Sequence, residues 1–237
     1  MEALVVQMTN DDVYKNILRD LLNSKYESDN GCEHERLGFA AIFDGLQPLT
    51  CVNEEYVKAE LAWYQSMNCD INSNHRIAKN SIWRRIASDT GRVNSNYGWC
   101  LYSSENKSQY RYALEAITND LFTKHCVMIY SRPSINSEWN DNIHAKSDMI
   151  CTIYTSVNVR YKAGVYCLVY DVHMRSCDAW YGLRNDFMWH HKILMDMKAE
   201  IEKTHRIKIE RCDIVWFADS LHLYDWELDT VKKFLEV

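Results

Sequence analysis

The stretch from residue 149 to residue 186 constrains this chain more than any other. Two strand-like segments, 149–161 and 164–172, follow one another. In the first, Cys151, Ile153, Thr155, Val157 and Val159 alternate onto one side. The second is rich in Tyr and Val, and it leads into MRSCDAWYG (174–182) and LRND (183–186). Those runs hold two arginines, a serine hydroxyl, two carboxylates and an aromatic pair. If the two strands lie side by side, Arg175 at the exit of the second reaches Cys151 at the entry of the first. A guanidinium beside a thiol favours the thiolate, which is the nucleophilic form.

The remaining elements surround this pair. Thr9 to Asp12 opens a helix in capping-box style, with Val13, Ile17, Leu21 and Leu22 at helical spacing. Residues 37–43 read as a short buried strand. Asn53 caps a helix with Glu54 and Glu55 in its first turn and Val57, Leu61 and Tyr64 along one face. Short helices are expected at 82–87 and 110–117, and a brief strand at 127–130. A long helix over 186–203 buries Leu194, Met197 and Ile201. A strand at 212–218 and a helix at 226–235 close the chain. Strands and helices mix without regular alternation, so the fold class is α+β. Several aromatic-rich strands would pack as one face of a sheet, against a partner subunit if there is one.

Composition narrows the function classes. The chain has 237 residues, 47% of them apolar, with eight Trp and fifteen Tyr, ample for a sizeable core. Seven Gly and two Pro leave little room for linkers, so a single domain over 1–237 is expected. A formal charge of −6 argues against a nucleic-acid binder. Of nine Cys none forms a CxxC pair, which argues against a zinc ribbon or redox motif. The N-terminal MEALVVQMTNDD lacks a basic region, and no apolar stretch is long enough to span a bilayer. These features set the expectation of a cytoplasmic protein with free thiols and no membrane contact.

Each chemistry-bearing residue has a plain reading beside the functional one. Cys151 is an inert core thiol or a nucleophile. Glu60 has Tyr56, Trp63 and Tyr64 at i−4, i+3 and i+4. It is either a glutamate at the rim of that face or a desolvated carboxylate with a raised pKa, suited to relaying protons. Asp186 caps the helix that follows or acts in a site. Asp178 pairs with an arginine or does likewise. His190-His191 cannot chelate one ion together, because adjacent helical residues face apart, so no metal is expected. His222-Leu223-Tyr224 is a strand end or part of a site.

Seven segments, in order, resemble the thymidylate synthase family: NEEYVKAELAWY (53–64), IWRRIAS (82–88), NSNYGW (94–99), MIYSRPS (128–134), MICT (149–152), MRSCDAWYGLRND (174–186) and SLHLY (220–224). Within that family they look most like the bacteriophage deoxycytidylate hydroxymethylases. The resemblance implies a large twisted mixed sheet flanked by helices, in a sheet-to-sheet homodimer. It also implies a reaction that carries one carbon from 5,10-methylenetetrahydrofolate to C5 of a pyrimidine nucleotide monophosphate. Carried over, Cys151 is the nucleophile that adds to C6, Glu60 the proton-relay carboxylate and Tyr97 the tyrosine near the C5 proton. Arg175 bridges cysteine and phosphate with Ser176 beside it, His222 and Tyr224 hold the sugar hydroxyl, and Arg132 belongs with the substrate-binding set. Trp83 and Asp178 line and orient the folate.

At Asp186 the synthases resemble one another in having Asn. A carboxyl there fits cytosine, accepting from N4–H and sharing a proton with N3. Lys124-His125 stands where the family has an arginine pair donated across the dimer to the partner's phosphate. The family's N-terminal phosphate arginine has no clear match, Arg36 being nearby but offset. The resemblance implies a deoxycytidylate 5-hydroxymethyltransferase. Its rivals are a hydroxymethylase of dUMP or ribo-CMP, a pyrimidine methylase of the same fold, and an inactive dimeric binding protein.

Overall fold

The two adjacent strand segments form a hairpin. Ala163 and Gly164 at its tip both take left-handed φ, 53° and 88°, the pattern of two-residue turns that match the strands' twist. The structure, a computed structural model, describes residues 8–26, 34–135 and 148–237. The first seven residues of the expected leaderless N-terminus lie outside these. In chain order the elements are α1 Asn10–Leu22, β1 His34–Asp44, α2 Glu54–Gln65, α3 His75–Lys79, α4 Ser81–Ile86, α5 Tyr97–Tyr102, α6 Gln109–Asn119 and β2 Val127–Ile129. There follow β3 Thr152–Lys162, β4 Val165–Met174, β5 Cys177–Asp178, α7 Gly182–His205, β6 Ile209–Leu223 and α8 Leu228–Leu235.

One mixed sheet runs in the order β1-β6-β4-β3-β2, with β5 pairing β6. β4 and β6 are parallel, so the chain must cross over between them, and α7 makes that crossing. α7 buries Leu183, Phe187, Trp189, Ile193, Leu194, Met197 and Ile201. Each such side chain contributes about 1.5–3 kcal/mol by leaving water. That is several times the spread of helix propensity per residue, so packing rather than propensity holds α7. Beneath it lie Val157, Val159, Leu168, Tyr170, Val172, Ile214 and Trp216, all buried. One continuous core extends from Tyr14 of α1 to Leu235 of α8.

The α+β class and the helix-flanked mixed sheet are as expected. Several local expectations change. The strand expected at 37–43 is longer and is not buried: Leu37 is 64% and Ile42 59% exposed. β1 lies at an edge of the sheet, and one of its faces points away from the helices. The long helix begins at Gly182, four residues before the expected start. Asp178 accepts from the backbone N–H groups of Trp180 (2.8 Å), Tyr181 (3.3 Å) and Gly182 (3.3 Å), so donors at the helix start are satisfied before Asp186 is reached. The strict alternation from Cys151 also fails. A bulge between Thr152 and Tyr154 shifts the register, so that Thr152, Thr155, Val157 and Val159 face the core. The strand at 212–218 extends over Ile209–Leu223, which brings His222 to the end of the sheet.

The capping predictions hold. Thr9 and Asp12 form the capping box of α1, and Asn53 Oδ1 accepts from Tyr56 N–H at 3.0 Å to start α2. On the face of the sheet away from α7, Tyr154, His173 and Phe217 stack across three strands at 4.2 and 4.4 Å between ring centroids.

Candidate active site

Cys151 sits just before β3, held by the segment that leaves β4. Arg175 N–H donates to the Cys151 carbonyl at 2.9 Å. Its side chain donates to the carbonyls of Ile150 (3.0 Å) and Met149 (2.6 Å), and Nη2 stands 3.8 Å from the Cys151 sulfur. Asp148, three residues earlier, is buried. Its carboxylate accepts from Asn94 N–H, from Ser95 N–H (2.8 Å) and from the Ser95 hydroxyl. The thiol is thus fixed on both sides of its own peptide. Burial pushes the thiol up to about 12, with Arg175 opposing.

The NSNYGW segment places Tyr97. Asn96 caps α5 by accepting from Trp99 N–H (2.8 Å) and donates to the carbonyls of Trp63 and Asn68. Gly98 packs so closely on α2 that a Cβ there would lie 1.7 Å from the Tyr64 carbonyl oxygen, so only glycine fits. Tyr97 then stacks on Tyr64 at 5.1 Å, and its hydroxyl makes polar contacts with Asp186 and Thr152.

Glu60 is 5% exposed, which removes the reading of a glutamate at a helix rim. Trp83, from α4, covers it. The Tyr56 hydroxyl donates to Glu60 Oε1 at 2.7 Å, and the Trp83 indole N–H donates to the same oxygen at 3.1 Å. Burial raises the Glu60 carboxyl to about 7, with both hydrogen bonds working against the rise. Asp186, from the first turns of α7, is raised well above the ordinary carboxylate range by burial first, then by the nearby charges of Glu60 and Asp178. With the helix starting at Gly182, Asp186 is not its cap.

Asp178 and His222 complete the cluster. They are paired in register across β5 and β6, and each alters the other's titration. Arg175 also bears on His222. The His222 and Tyr224 rings meet at 5.1 Å. Cys151 feels Arg175, Asp186, Asp148 and Asp178, so these residues form one electrostatic site. Ser176 lies next to Arg175 and is partly buried. Lys124 and His125 are exposed, in the segment that enters edge strand β2. Arg132 stacks over Trp99 at 4.9 Å, and its charge bears on Asp148. Arg36 pairs with Asp20 on the surface at 2.6 Å.

The sequence did not single out Asp148, Thr152, Glu227 or Tyr56 as site residues. His190 is fully buried between the Thr152 hydroxyl (3.4 Å) and the Tyr170 hydroxyl (3.3 Å), and burial lowers it to about 3. It is therefore a neutral core imidazole. Among the described residues no group of three or more His, Cys, Asp or Glu is placed to hold a metal ion, and no helix is long and apolar enough to cross a membrane.

Residues 47–237 match the family model described as thymidylate synthase. The chain belongs to the thymidylate synthase family. Members use methylenetetrahydrofolate as co-substrate with a nucleotide monophosphate, and the chain is a folate-dependent one-carbon transferase. It is 31% identical to the deoxycytidylate 5-hydroxymethyltransferase of Enterobacteria phage T4 over 193 residues, covering 80% of this chain and 75% of that protein. The proteins of the same description from Enterobacteria phages T2 and T6 match at the same identity and coverage.

Proposed function

We propose that this thymidylate synthase family member is a deoxycytidylate 5-hydroxymethyltransferase. The observation that carries the choice of base is Asp186, a buried carboxyl near Cys151 that burial and the charges of Glu60 and Asp178 raise well above the ordinary carboxylate range. When a thiol adds to C6 of cytosine, negative charge develops on the ring and N3 becomes more basic. A carboxylic acid can give N3 a full proton and then accept from N3–H and N4–H together. An amide can only share a hydrogen bond. The interaction therefore strengthens in the transition state, which is where binding accelerates a reaction. The similarity to the phage enzymes supports the same reading.

In this mechanism Cys151 gives up its proton and forms a bond to C6, with Arg175 stabilising the sulfur and reaching the nucleotide phosphate. The electron pair released to C5 would attack the methylene carbon of the folate as its first carbon–nitrogen bond opens, and loss of the C5 proton would then break the second, so that tetrahydrofolate leaves and the one-carbon unit remains on C5 as an exocyclic methylene. Glu60, poised near neutrality, moves protons at the base, and Tyr97 stands where the C5 proton leaves. Water then adds to the exocyclic carbon as Cys151 departs from C6. Trp83 and Asp178 bound the pterin, and His222 and Tyr224 hold the sugar hydroxyl.

The chain acts in this reading as a single domain, supported by its continuous core, and as a homodimer. The dimer reading is supported by the sheet face away from α7, with its stack of Tyr154, His173 and Phe217 and the exposed Ile42. In this reading Lys124 and His125, exposed beside edge strand β2, serve the phosphate of the partner's substrate.

The test is tritium release from C5-labelled dCMP and dUMP with methylenetetrahydrofolate, together with identification of the product. Release from dCMP yielding the 5-hydroxymethyl nucleotide is expected. Preferred release from dUMP, or a methyl product, overturns the proposal.

A further inference from the structure

Behind Asp178 lies a second carboxyl that the mechanism above does not use. Glu227 is 2% exposed, in the turn between β6 and α8. Its Oε2 accepts from Tyr224 N–H at 2.9 Å. Its carboxyl also meets that of Asp178, whose two oxygens already take three backbone N–H groups at the start of α7. The ionisable groups around the pair include Tyr14 of α1, which feels both carboxyls and Arg184 of α7, Asp186 of α7, Cys177 of β5 and Cys151, which both feel Asp178, and His222 of β6, which in turn feels Glu35 of β1 and Arg175. Arg184 is engaged with the rings of Trp180 (4.0 Å), Tyr14 (4.9 Å) and Phe234 (5.5 Å). The two carboxyls thus meet without a salt bridge between either of them and Arg184. Two adjoining carboxyls in such a place hold one proton between them rather than two charges. Asp178 is engaged as acceptor by three donors, which leaves the proton on Glu227.

We propose that Glu227 is a positioning residue, donating a shared proton to Asp178 and so setting that carboxylate for the pterin while holding the turn at Tyr224. The inference rests on the folate role given to Asp178 above. Through one side chain it ties the segment that receives the folate to the segment that receives the sugar. Burial, with the neighbouring charge of Asp178, raises Glu227 to about 8. The proton is present at neutral pH and is lost in mildly alkaline solution, where two charges repel and the Asp178 carboxylate shifts.

The test compares wild type with Glu227→Gln. The amide can donate to Asp178 and accept from Tyr224 N–H at every pH. In wild type the KM for methylenetetrahydrofolate should rise above about pH 8, approaching about tenfold per pH unit. In Glu227→Gln it should stay level, and the KM for dCMP should follow the same course in both. A parallel rise of the folate KM in both proteins overturns the proposal. A second reading needs no folate. A folded-state pKa raised from 4.5 to about 8 gives stability that is full below the lower value and lost as pH rises through the upper one. The melting temperature of Glu227→Gln minus that of wild type should therefore widen between about pH 5 and 8. If wild type turns over no folate at any pH, the reading of function has failed. The melting difference then decides alone: widening supports the shared proton, and a constant difference overturns it.

Discussion

Glu60 and Asp178 are both carboxyls raised by burial, but they are held in opposite ways. Glu60 accepts from two side chains, Tyr56 and Trp83, on a single oxygen. Asp178 accepts from three backbone N–H groups spread over both oxygens. A carboxyl with one oxygen uncommitted can take and release a proton without rearranging its surroundings. A carboxyl pinned by backbone at the start of a helix keeps its geometry and moves little. In the proposed mechanism the difference suits Glu60 to proton traffic and Asp178 to placement, although burial alone would have made them look alike.

Substitutions by the matching amide should separate the two. Glu60→Gln removes proton transfer and should lower kcat by about 10²–10⁴-fold, with small change in either KM. Steady-state kinetics check this, and a loss confined to KM would break the contrast. Asp178→Asn keeps an acceptor for Trp180 and Tyr181 but removes the charge. It should raise the folate KM about tenfold or more, the cost of one charge-assisted hydrogen bond, with kcat largely retained. The smallest effect is expected from Tyr56→Phe. Loss of a donor that lowers Glu60 should move the ionisation of that carboxyl upward from about 7. The corresponding limb of the pH–rate profile should shift to higher pH, and an unchanged limb would mean that Glu60 does not set it.

Local signals in the sequence carried much of the fold. Thr9 and Asn53 started helices where their side chains can cap, and the 3.6-residue spacing of Leu194, Met197 and Ile201 marked the buried side of α7. The meeting of Cys151 with Arg175 also followed from pairing two adjacent strands. What failed depended on contacts between distant segments. Of the two readings of Asp186, the helix cap fails because the residue that serves the helix start, Asp178, lies eight positions earlier, across a turn. The rim reading of Glu60 stayed open beside the buried one because Trp83, which covers it, belongs to another helix. The bulge after Thr152 and the edge position of β1 are set by the assembled sheet. Asp148 and Glu227 became visible only once Ser95 and Asp178 were brought against them.

The central claim is that the Asp186 carboxyl selects cytosine, and Asp186→Asn tests it most directly. The measurement is kcat/KM on dCMP and dUMP for wild type and variant under the same conditions. Asn cannot give up a proton to N3, so activity on dCMP should fall mainly through kcat, and activity on dUMP should rise. An unchanged rate and base preference would contradict the account, because Asn would then replace Asp186 without chemical consequence.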